Sequence, residues 1–67
     1  MDHRLITTLI VDDEPIARRV LREGLESILG IEITGEAADG REALRLIACL
    51  KPDLVFLCLL YTSAHYT

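Results

Sequence analysis

The stretch LITTLIVDDEP, residues 5–15, passes from an apolar, β-branched run into three consecutive acidic residues and a proline. The run over residues 5–11 is nearly continuous, which is typical of a central β-strand that is covered on both faces. Asp12 and Asp13 follow where this strand must end, and Pro15 suits the first turn of a helix, where its missing N–H costs nothing. The stretch therefore predicts a buried strand that places two carboxylates at its carboxyl end and leads directly into a helix.

The rest of the chain divides into segments with alternating helical and strand periodicity. We predict a helix from Pro15 to a stop at Gly30, a strand over residues 31–37, a helix from Asp39 to Lys51, and a strand over residues 53–57. Asp39 offers an N-cap carboxylate, and Glu42 follows three residues later in a capping-box arrangement. Gly24, inside the first helix, would let that helix approach the sheet closely.

This alternation of strands and helices with short connections predicts an α/β fold. We expect a parallel three-stranded sheet with right-handed crossovers and helices on both faces. If the first and third strands are neighbours, the strand order is 2-1-3, and functional residues lie beyond the carboxyl ends of the strands. Asp12, Asp13 and Cys58 would then share one crevice.

Composition and charge limit the classes of function that the chain can serve. It has 67 residues, of which 51% are hydrophobic, and a net charge of −4 at pH 7. This length allows one small domain of marginal stability, and the negative charge disfavours a nucleic-acid surface. The arginines at positions 18, 19 and 22 alternate with Glu23 and Glu26, which we interpret as a solvated helix face.

The two cysteines form neither a disulfide scaffold nor a CxxC metal motif. We interpret Cys49 as core or boundary packing. Cys58, His3 and His65 lack the spacing of a zinc site. Because the chain has no leader-like start and no apolar run of membrane-spanning length, we expect it in a reducing cytoplasm.

The acidic pair admits two interpretations. Adjacent carboxylates at a strand end can be oxygen ligands for Mg²⁺, which takes one or two protein carboxylates and keeps several waters. Alternatively, Asp13 and Glu14 only favour the N-terminal end of the first helix electrostatically. The position after a buried central strand favours the cation. A dinucleotide site is excluded, because the turn VDDEP has no glycine and its charge would repel a pyrophosphate.

Three segments of the chain together resemble a known family. LIVDDEPIARRVL (residues 9–21), GEAADGREAL (35–44) and KPDLVFL (51–57) are similar, in order and spacing, to the first half of a response-regulator receiver domain. This is the CheY-like, flavodoxin-like module of two-component signalling. The resemblance covers residues 5–57, and DDEPIAR (12–18) is similar to receivers that carry a LytTR-type DNA-binding output.

The resemblance implies a mechanism and a set of site residues. In the family, an Asp at the end of the third strand takes a phosphoryl group from a sensor histidine kinase with Mg²⁺ bound beside it, and the product switches an output. Asp12 and Asp13 match the metal-binding pair, and Leu60 would supply a backbone carbonyl ligand. Cys58 occupies the acceptor position. The family's receiver is a switch and not an enzyme.

Cys58 departs from the family pattern. A thiol is mostly protonated at pH 7 and is a poor ligand for Mg²⁺, so we predict that position 58 does not accept phosphate and that no catalytic residue is present. We interpret Cys58 as a small buried hydrophobe in preference to a redox-active thiol.

The segment after Cys58 also departs from the family. We expect residues 1–58 to be a partial receiver domain and residues 59–67 to be a non-family tail, introduced by truncation, a frame change or a spurious junction. We therefore expect this chain to lack the family's later strands and helices, with their phosphate-contacting Ser or Thr and Lys, and an output domain. The third strand would then be an edge, prone to self-association, and the fragment poorly stable.

Two other functions remain open. The chain could be a pseudo-receiver, an interaction module without phosphate chemistry. More distantly, it could be a Mg²⁺-dependent phosphohydrolase, although such folds space their two aspartates as DxD, and here Asp12 and Asp13 are adjacent. In none of these readings does this chain itself bind nucleic acid or a membrane.

Overall fold

The computed structural model describes residues 4–58. In this range the elements are β1 (Ile6–Asp12), α1 (Pro15–Glu26), β2 (Ile31–Ala37), α2 (Gly40–Leu50) and β3 (Leu54–Cys58). The strands form one parallel sheet in the order β2-β1-β3. The predicted fold class and strand order are confirmed.

The two helices cover the sheet around β1 and β2. Each helix packs on both of these strands, and within residues 4–58 the helices do not contact each other. Right-handed crossovers on the two sides of β1 place the helices on opposite faces. β3 receives no helix in this range and forms an edge of the sheet.

The core is centred on β1. Leu9, Ile10 and Val11 are fully buried, as expected for a strand with a neighbour on each side and a helix on each face. Leu9 and Val11 pack with Ala37 of β2 and Ala43 of α2. Burial of each large aliphatic side chain contributes about 1.5–3 kcal/mol, so this short strand carries much of the fold's stability.

A cluster of hydrogen bonds between Thr7 and Asp53 fixes the register of β1 against β3. The main-chain N–H of Asp53 donates to the carbonyl and to the hydroxyl oxygen of Thr7, at 2.9 and 3.0 Å. In return the main-chain N–H and the hydroxyl of Thr7 donate to Oδ2 of Asp53, at 3.0 and 3.1 Å. Because the pair lies at the amino ends of both strands, it determines which residues meet at their carboxyl ends.

β2 contains one extra residue opposite β1, which makes a β-bulge. Thr8 pairs with Ile33 and Ile10 pairs with Glu36, so Thr34 is the added residue, and its hydroxyl donates to the carbonyl of Thr8 at 3.2 Å. Side chains two residues apart on a strand share a face, whereas Ile33 and Glu36 are three apart. The bulge therefore puts Glu36 on the same face as Ile33, and this is the face on which α1 lies.

The close approach of a helix to the sheet occurs at Gly35, not at Gly24 as predicted. A Cβ at Gly35 would lie 2.9 Å from Cδ1 of Leu50 on α2 and 3.4 Å from Cδ1 of Leu9. A Cβ at Gly24 would meet nothing within 4 Å. The expectation for Gly24 was wrong because this residue faces solvent.

The ends of the helices agree with the sequence in one case and differ in the other. Lys51 ends α2 as predicted, in a left-handed conformation with φ 49°. α1 ends at Glu26, before the predicted stop at Gly30, and after it the main-chain N–H groups of Ser27 and Ile28 donate to carbonyls three residues back, at 3.3 and 3.0 Å. Gly30, with φ +93°, instead belongs to the loop before β2.

Two sequence expectations about burial are corrected. Cys49 and Cys58 are both exposed, so neither packs in the core. Cys58 lies on the edge strand and Cys49 on the outer side of α2, and no element among residues 4–58 covers them.

Neither helix among residues 4–58 has the length and apolar content that a membrane crossing requires.

Candidate functional site

Asp12 and Cys58 lie side by side at the carboxyl end of the sheet. Asp12 is the last residue of β1 and Cys58 the last residue of β3, and the two are direct partners in the strand register. Adjacent strands are separated by about 4.8 Å, so both side chains start from the same edge of the sheet. The structure thus brings together the two positions that the sequence predicted to meet. The third predicted metal ligand, Leu60, lies outside the described residues.

The two aspartates of the acidic pair have different environments. Asp12 is 5% exposed, and its Oδ1 accepts a hydrogen bond from the main-chain N–H of Glu14 at 2.9 Å. Its second carboxylate oxygen accepts no hydrogen bond from residues 4–58. Asp13 is exposed in the turn that joins β1 to α1. One carboxylate is therefore held at the strand end, and the other reaches solvent beside it.

The donor set fits Mg²⁺ but is small. No group of three or more His, Cys, Asp or Glu residues in the described part of the chain is arranged to hold a metal ion. Mg²⁺ needs only one or two protein carboxylates when waters complete its shell, so Asp12 and Asp13 suffice in kind. Cys58 would add a soft sulfur, which does not suit a hard cation.

Arg18, on α1, forms a hydrogen bond with the main chain of Asp12. Its Nη1 donates to the carbonyl oxygen of Asp12 at 2.6 Å, and its Nε donates to Oε1 of Glu36 at 3.0 Å. The Arg18 side chain is only 20% exposed. It therefore connects three elements: the end of β1, the first turns of α1, and β2.

Glu36 is shared with a second arginine. Nη1 of Arg22 donates to Oε2 of Glu36, and Nε of Arg22 donates to Oε2 of Glu26 at 2.9 Å. The hydrogen bond from Arg22 and then that from Arg18 lower the pKa of Glu36, against the opposing effect of burial. The bonds to Glu36 and then to Glu26 raise the pKa of Arg22. We call these two arginines and two glutamates the Arg18 network, and its formal charges sum to zero.

The Arg18 network differs from the interpretation of the sequence. A solvated helix face is wrong for Arg18 and Arg22, since both reach across to Glu36 on β2. Only Arg19, with a side chain that is 80% exposed, matches that description. The sequence signal is weak: two arginines four residues apart on a helix precede a strand that contains Glu36, and nothing local places Glu36 on the face that meets α1.

A cavity of about 430 Å³ lies elsewhere, lined by Arg4, Leu5, Leu29 and Gly30. These residues precede β1 and β2, so the cavity opens at the amino ends of the parallel strands. The acidic pair lies at the opposite end of the sheet. Because it holds neither Asp12 nor Cys58, we assign this cavity no part in the candidate site.

Comparison with known proteins agrees with the observed fold. The family profile described as the response regulator receiver domain matches residues 8–59. The chain is 48% identical over 52 residues to protein-glutamate methylesterase/protein-glutamine glutaminase 5 of Myxococcus xanthus, covering 78% of this chain and 15% of that protein. It is 49% identical over 53 residues to the transcriptional regulatory protein BtsR of Salmonella typhimurium, covering 79% of this chain and 22% of that protein. The chain thus spans less than a quarter of the length of these relatives.

A solved structure shares the fold as well as the sequence. The response regulator domain of Thermotoga maritima CheB superposes with a TM-score of 0.75 and 38% identity, covering 78% of this chain and 39% of that one. The family profile matches most of the chain, and the strand order β2-β1-β3 is the one that the sequence predicted. The chain belongs to the response regulator receiver domain family.

Proposed function

We propose that this chain carries the cation-binding part of a phosphorylation-controlled switch in two-component signalling. The observation that supports this best is the register of β1 against β3, which makes Asp12 the neighbour of position 58. Asp12 and Asp13 would hold Mg²⁺, and a backbone carbonyl at Leu60 would be a third ligand. When bound, Mg²⁺ would supply positive charge for the oxygens of an incoming phosphoryl group. The chain's own residues position that cation and leave the adjacent strand end open to a phosphodonor.

Position 58 decides whether phosphate is accepted. With Cys58 there, the site offers a mostly protonated thiol instead of a carboxylate, and we propose that it does not take phosphate in the family's manner. No residue of the chain is then catalytic. The partner would be a sensor histidine kinase, and in keeping with such a partner we keep the prediction of a cytoplasmic location.

The test compares the chain with its Cys58→Asp variant. Each is incubated with Mg²⁺ and acetyl phosphate, and the covalent phosphoryl adduct is measured by intact-protein mass spectrometry. We expect no adduct on the parent chain and a hydroxylamine-sensitive adduct on Cys58→Asp, because a carboxylate at that position gives an acyl phosphate. A folded Cys58→Asp chain that takes no phosphate would contradict the proposal.

Two further variants in the Cys58→Asp background make the test specific. Asp13→Asn removes one carboxylate of the proposed pair, and we expect it to abolish the adduct. Glu23→Gln removes a carboxylate from the exposed side of α1, 68% exposed, and we expect it to leave the yield unchanged. Equal yields from these two variants would exclude Asp13 as a ligand.

A pseudo-receiver is the second candidate, favoured by the exposed thiol at the acceptor position. It would bind its partner equally well with and without Mg²⁺ and phosphodonor. Restored acyl phosphate on Cys58→Asp, with partner binding that depends on it, would favour the switch. The phosphohydrolase has no comparable support, since Asp12 and Asp13 are adjacent in the chain and not spaced as DxD.

The boundaries and the output of the whole protein also remain proposals. We propose that residues 1–58 are receiver sequence and that residues 59–67 are not. Amplifying and sequencing genomic DNA across codon 58 with flanking primers tests this, and an unbroken frame encoding residues 58–67 would contradict it. One relative is named a methylesterase and glutaminase and another a transcriptional regulator, so a LytTR-type output stays a prediction.

A further inference from the structure

We propose that Arg18 is a positioning residue for the acidic pair, acting through the main chain at Asp12. This inference rests on the proposed function, because it assigns Arg18 a role in cation binding by Asp12 and Asp13. Arg18 touches neither carboxylate of the pair in the described structure. Its contact is with the carbonyl oxygen of Asp12, at 2.6 Å.

The contact matters because of peptide geometry. The carbonyl of Asp12 and the nitrogen of Asp13 belong to one rigid plane. A hydrogen bond that fixes the direction of the Asp12 carbonyl therefore also fixes the direction in which the chain enters Asp13. Glu14 restrains the same turn from the other side, since its N–H donates to Oδ1 of Asp12 at 2.9 Å. The two hydrogen bonds set the relative placement of the two carboxylates before any cation arrives.

Arg18 can do this because it is itself held in place. Its Nε donates to Glu36 at 3.0 Å, and Glu36 is also bound by Arg22. The bulge at Thr34 puts Glu36 on the face of the sheet that meets α1. A guanidinium presents several donors in one rigid plane, so a single side chain can bond both the Asp12 carbonyl and Glu36. A lysine, with a single nitrogen on a flexible stem, cannot reproduce this geometry.

If Arg18 acted only through its charge, its replacement would change Mg²⁺ affinity in the opposite direction. A guanidinium beside a cation site repels the cation, so Arg18 acting by charge alone would weaken binding of Mg²⁺. Replacing Arg18 by Gln would then strengthen binding, whereas replacing Arg18 and Glu36 together would leave it unchanged because the lost charges cancel. Positioning predicts weaker binding in both cases.

The experiment is a Mg²⁺ titration of the full chain and of its Cys58→Asp form, followed by NMR. Arg18→Gln and the double variant Arg18→Gln/Glu36→Gln are expected to weaken Mg²⁺ binding about tenfold, the lower end of the loss typical when a residue that orients a metal ligand is removed. Arg19→Gln is the matched control: it removes the same charge from the next position, where the side chain is 80% exposed. We expect Arg19→Gln to change affinity less than about twofold. Stronger binding by Arg18→Gln, or unchanged binding by the double variant, would overturn the proposal.

A metal-free measurement separates this inference from the proposed function. Without Mg²⁺, Arg18→Gln should shift the ¹³C′ resonance of Asp12 and speed amide exchange at Asp13, while Arg19→Gln should do neither. Arg18→Lys keeps the charge and should behave like Arg18→Gln, so it can replace Arg18→Gln if that variant does not fold. Parent-like Mg²⁺ affinity and Asp12 resonance in Arg18→Lys would overturn the proposal. If neither parent form binds Mg²⁺, the cation site fails, and the Asp12 resonance still decides whether Arg18 positions this turn.

Discussion

Asp53 is bound to both the main chain and the side chain of Thr7. Its N–H donates to the carbonyl and the hydroxyl of Thr7, and its Oδ2 accepts from the N–H and the hydroxyl of Thr7. The main-chain N–H of Thr7, and then its hydroxyl, lower the pKa of Asp53. The charged form of Asp53 is therefore part of what holds β1 and β3 in register.

The pH dependence of stability follows from this shift. Because the folded-state pKa of Asp53 lies below its unfolded-state value, its stabilising contribution is full above the unfolded value and is lost as pH falls through the folded value. We expect the urea midpoint to fall on acidification below about pH 4, the region of an ordinary Asp. Asp53→Asn should lower the midpoint at pH 7 and flatten this acid limb, as measured by circular dichroism. An unchanged acid limb in Asp53→Asn, with Glu23→Gln as the control, would assign the dependence to other carboxylates.

At the scale of elements, the packing of α2 on β2 depends on the absence of a side chain at Gly35. We expect Gly35→Ala to lower the free energy of unfolding by about 1 kcal/mol, because the new methyl group forces Leu50 to move. Leu50 is 41% exposed and can give way, which keeps the cost modest. Urea denaturation measures the change.

Gly24→Ala is the control within the same chain. Nothing lies within 4 Å of the added methyl group, and Ala is favoured over Gly inside a helix by about 1 kcal/mol. The same change of residue should therefore stabilise at position 24 and destabilise at position 35. Equal effects at the two positions would show that Gly35 does not govern the approach of α2.

The N-terminus of α2 allows a second prediction at this scale. Asp39 caps the helix by accepting from the N–H of Glu42 at 2.8 Å, as the sequence predicted, and Glu42 accepts from the N–H of Ala38 at 3.1 Å. Asp39→Ala should cost about 1 kcal/mol of unfolding free energy. Asp39→Asn keeps the acceptor and should recover most of that loss, which separates capping from the charge.

Features of the helices and strands that depend on neighbouring residues could be predicted from the sequence, whereas features that depend on pairing with a distant strand could not. The apolar run of β1, the Asp39 cap and the stop at Lys51 depend on neighbouring residues, so they could be predicted from the sequence. The bulge at Thr34 depends on pairing with a strand more than 20 residues away, and nothing local indicates it. Without the bulge, Glu36 could not be placed beside α1, so the sequence did not predict the Arg18 network, whereas it did predict that Asp12 meets position 58.

At the scale of the whole molecule, large apolar side chains among residues 4–58 lie exposed on both helices and on β3. Ile16, Val20 and Leu44 on the helices are 75%, 63% and 72% exposed, and Leu57 on β3 is 63% exposed. A chain of 67 residues buries only about 60% of its unfolded surface, so its stability is small. An edge strand with exposed apolar side chains is a template for pairing with another chain.

We therefore propose self-association through β3 and predict that a charge on this strand reduces it. Leu57→Lys should lower the weight-average mass in sedimentation equilibrium toward that of a monomer. Leu29→Lys, at a residue that is 98% exposed near the opposite end of the sheet, should not. A parent chain that sediments as a monomer and unfolds cooperatively when dilute would contradict the proposal.

The Thr7–Asp53 contact has a consequence for how position 58 can vary. The bonds between Thr7 and Asp53 lie at the amino ends of β1 and β3, whereas the proposed site, at Asp12 and position 58, lies at their carboxyl ends. We therefore propose that alignment and reactivity rest on separate residues, so that a change of side chain at position 58 leaves the pairing of β1 with β3 intact. Cys58→Asp is then expected to change the chemistry at the strand end while the architecture stays as it is.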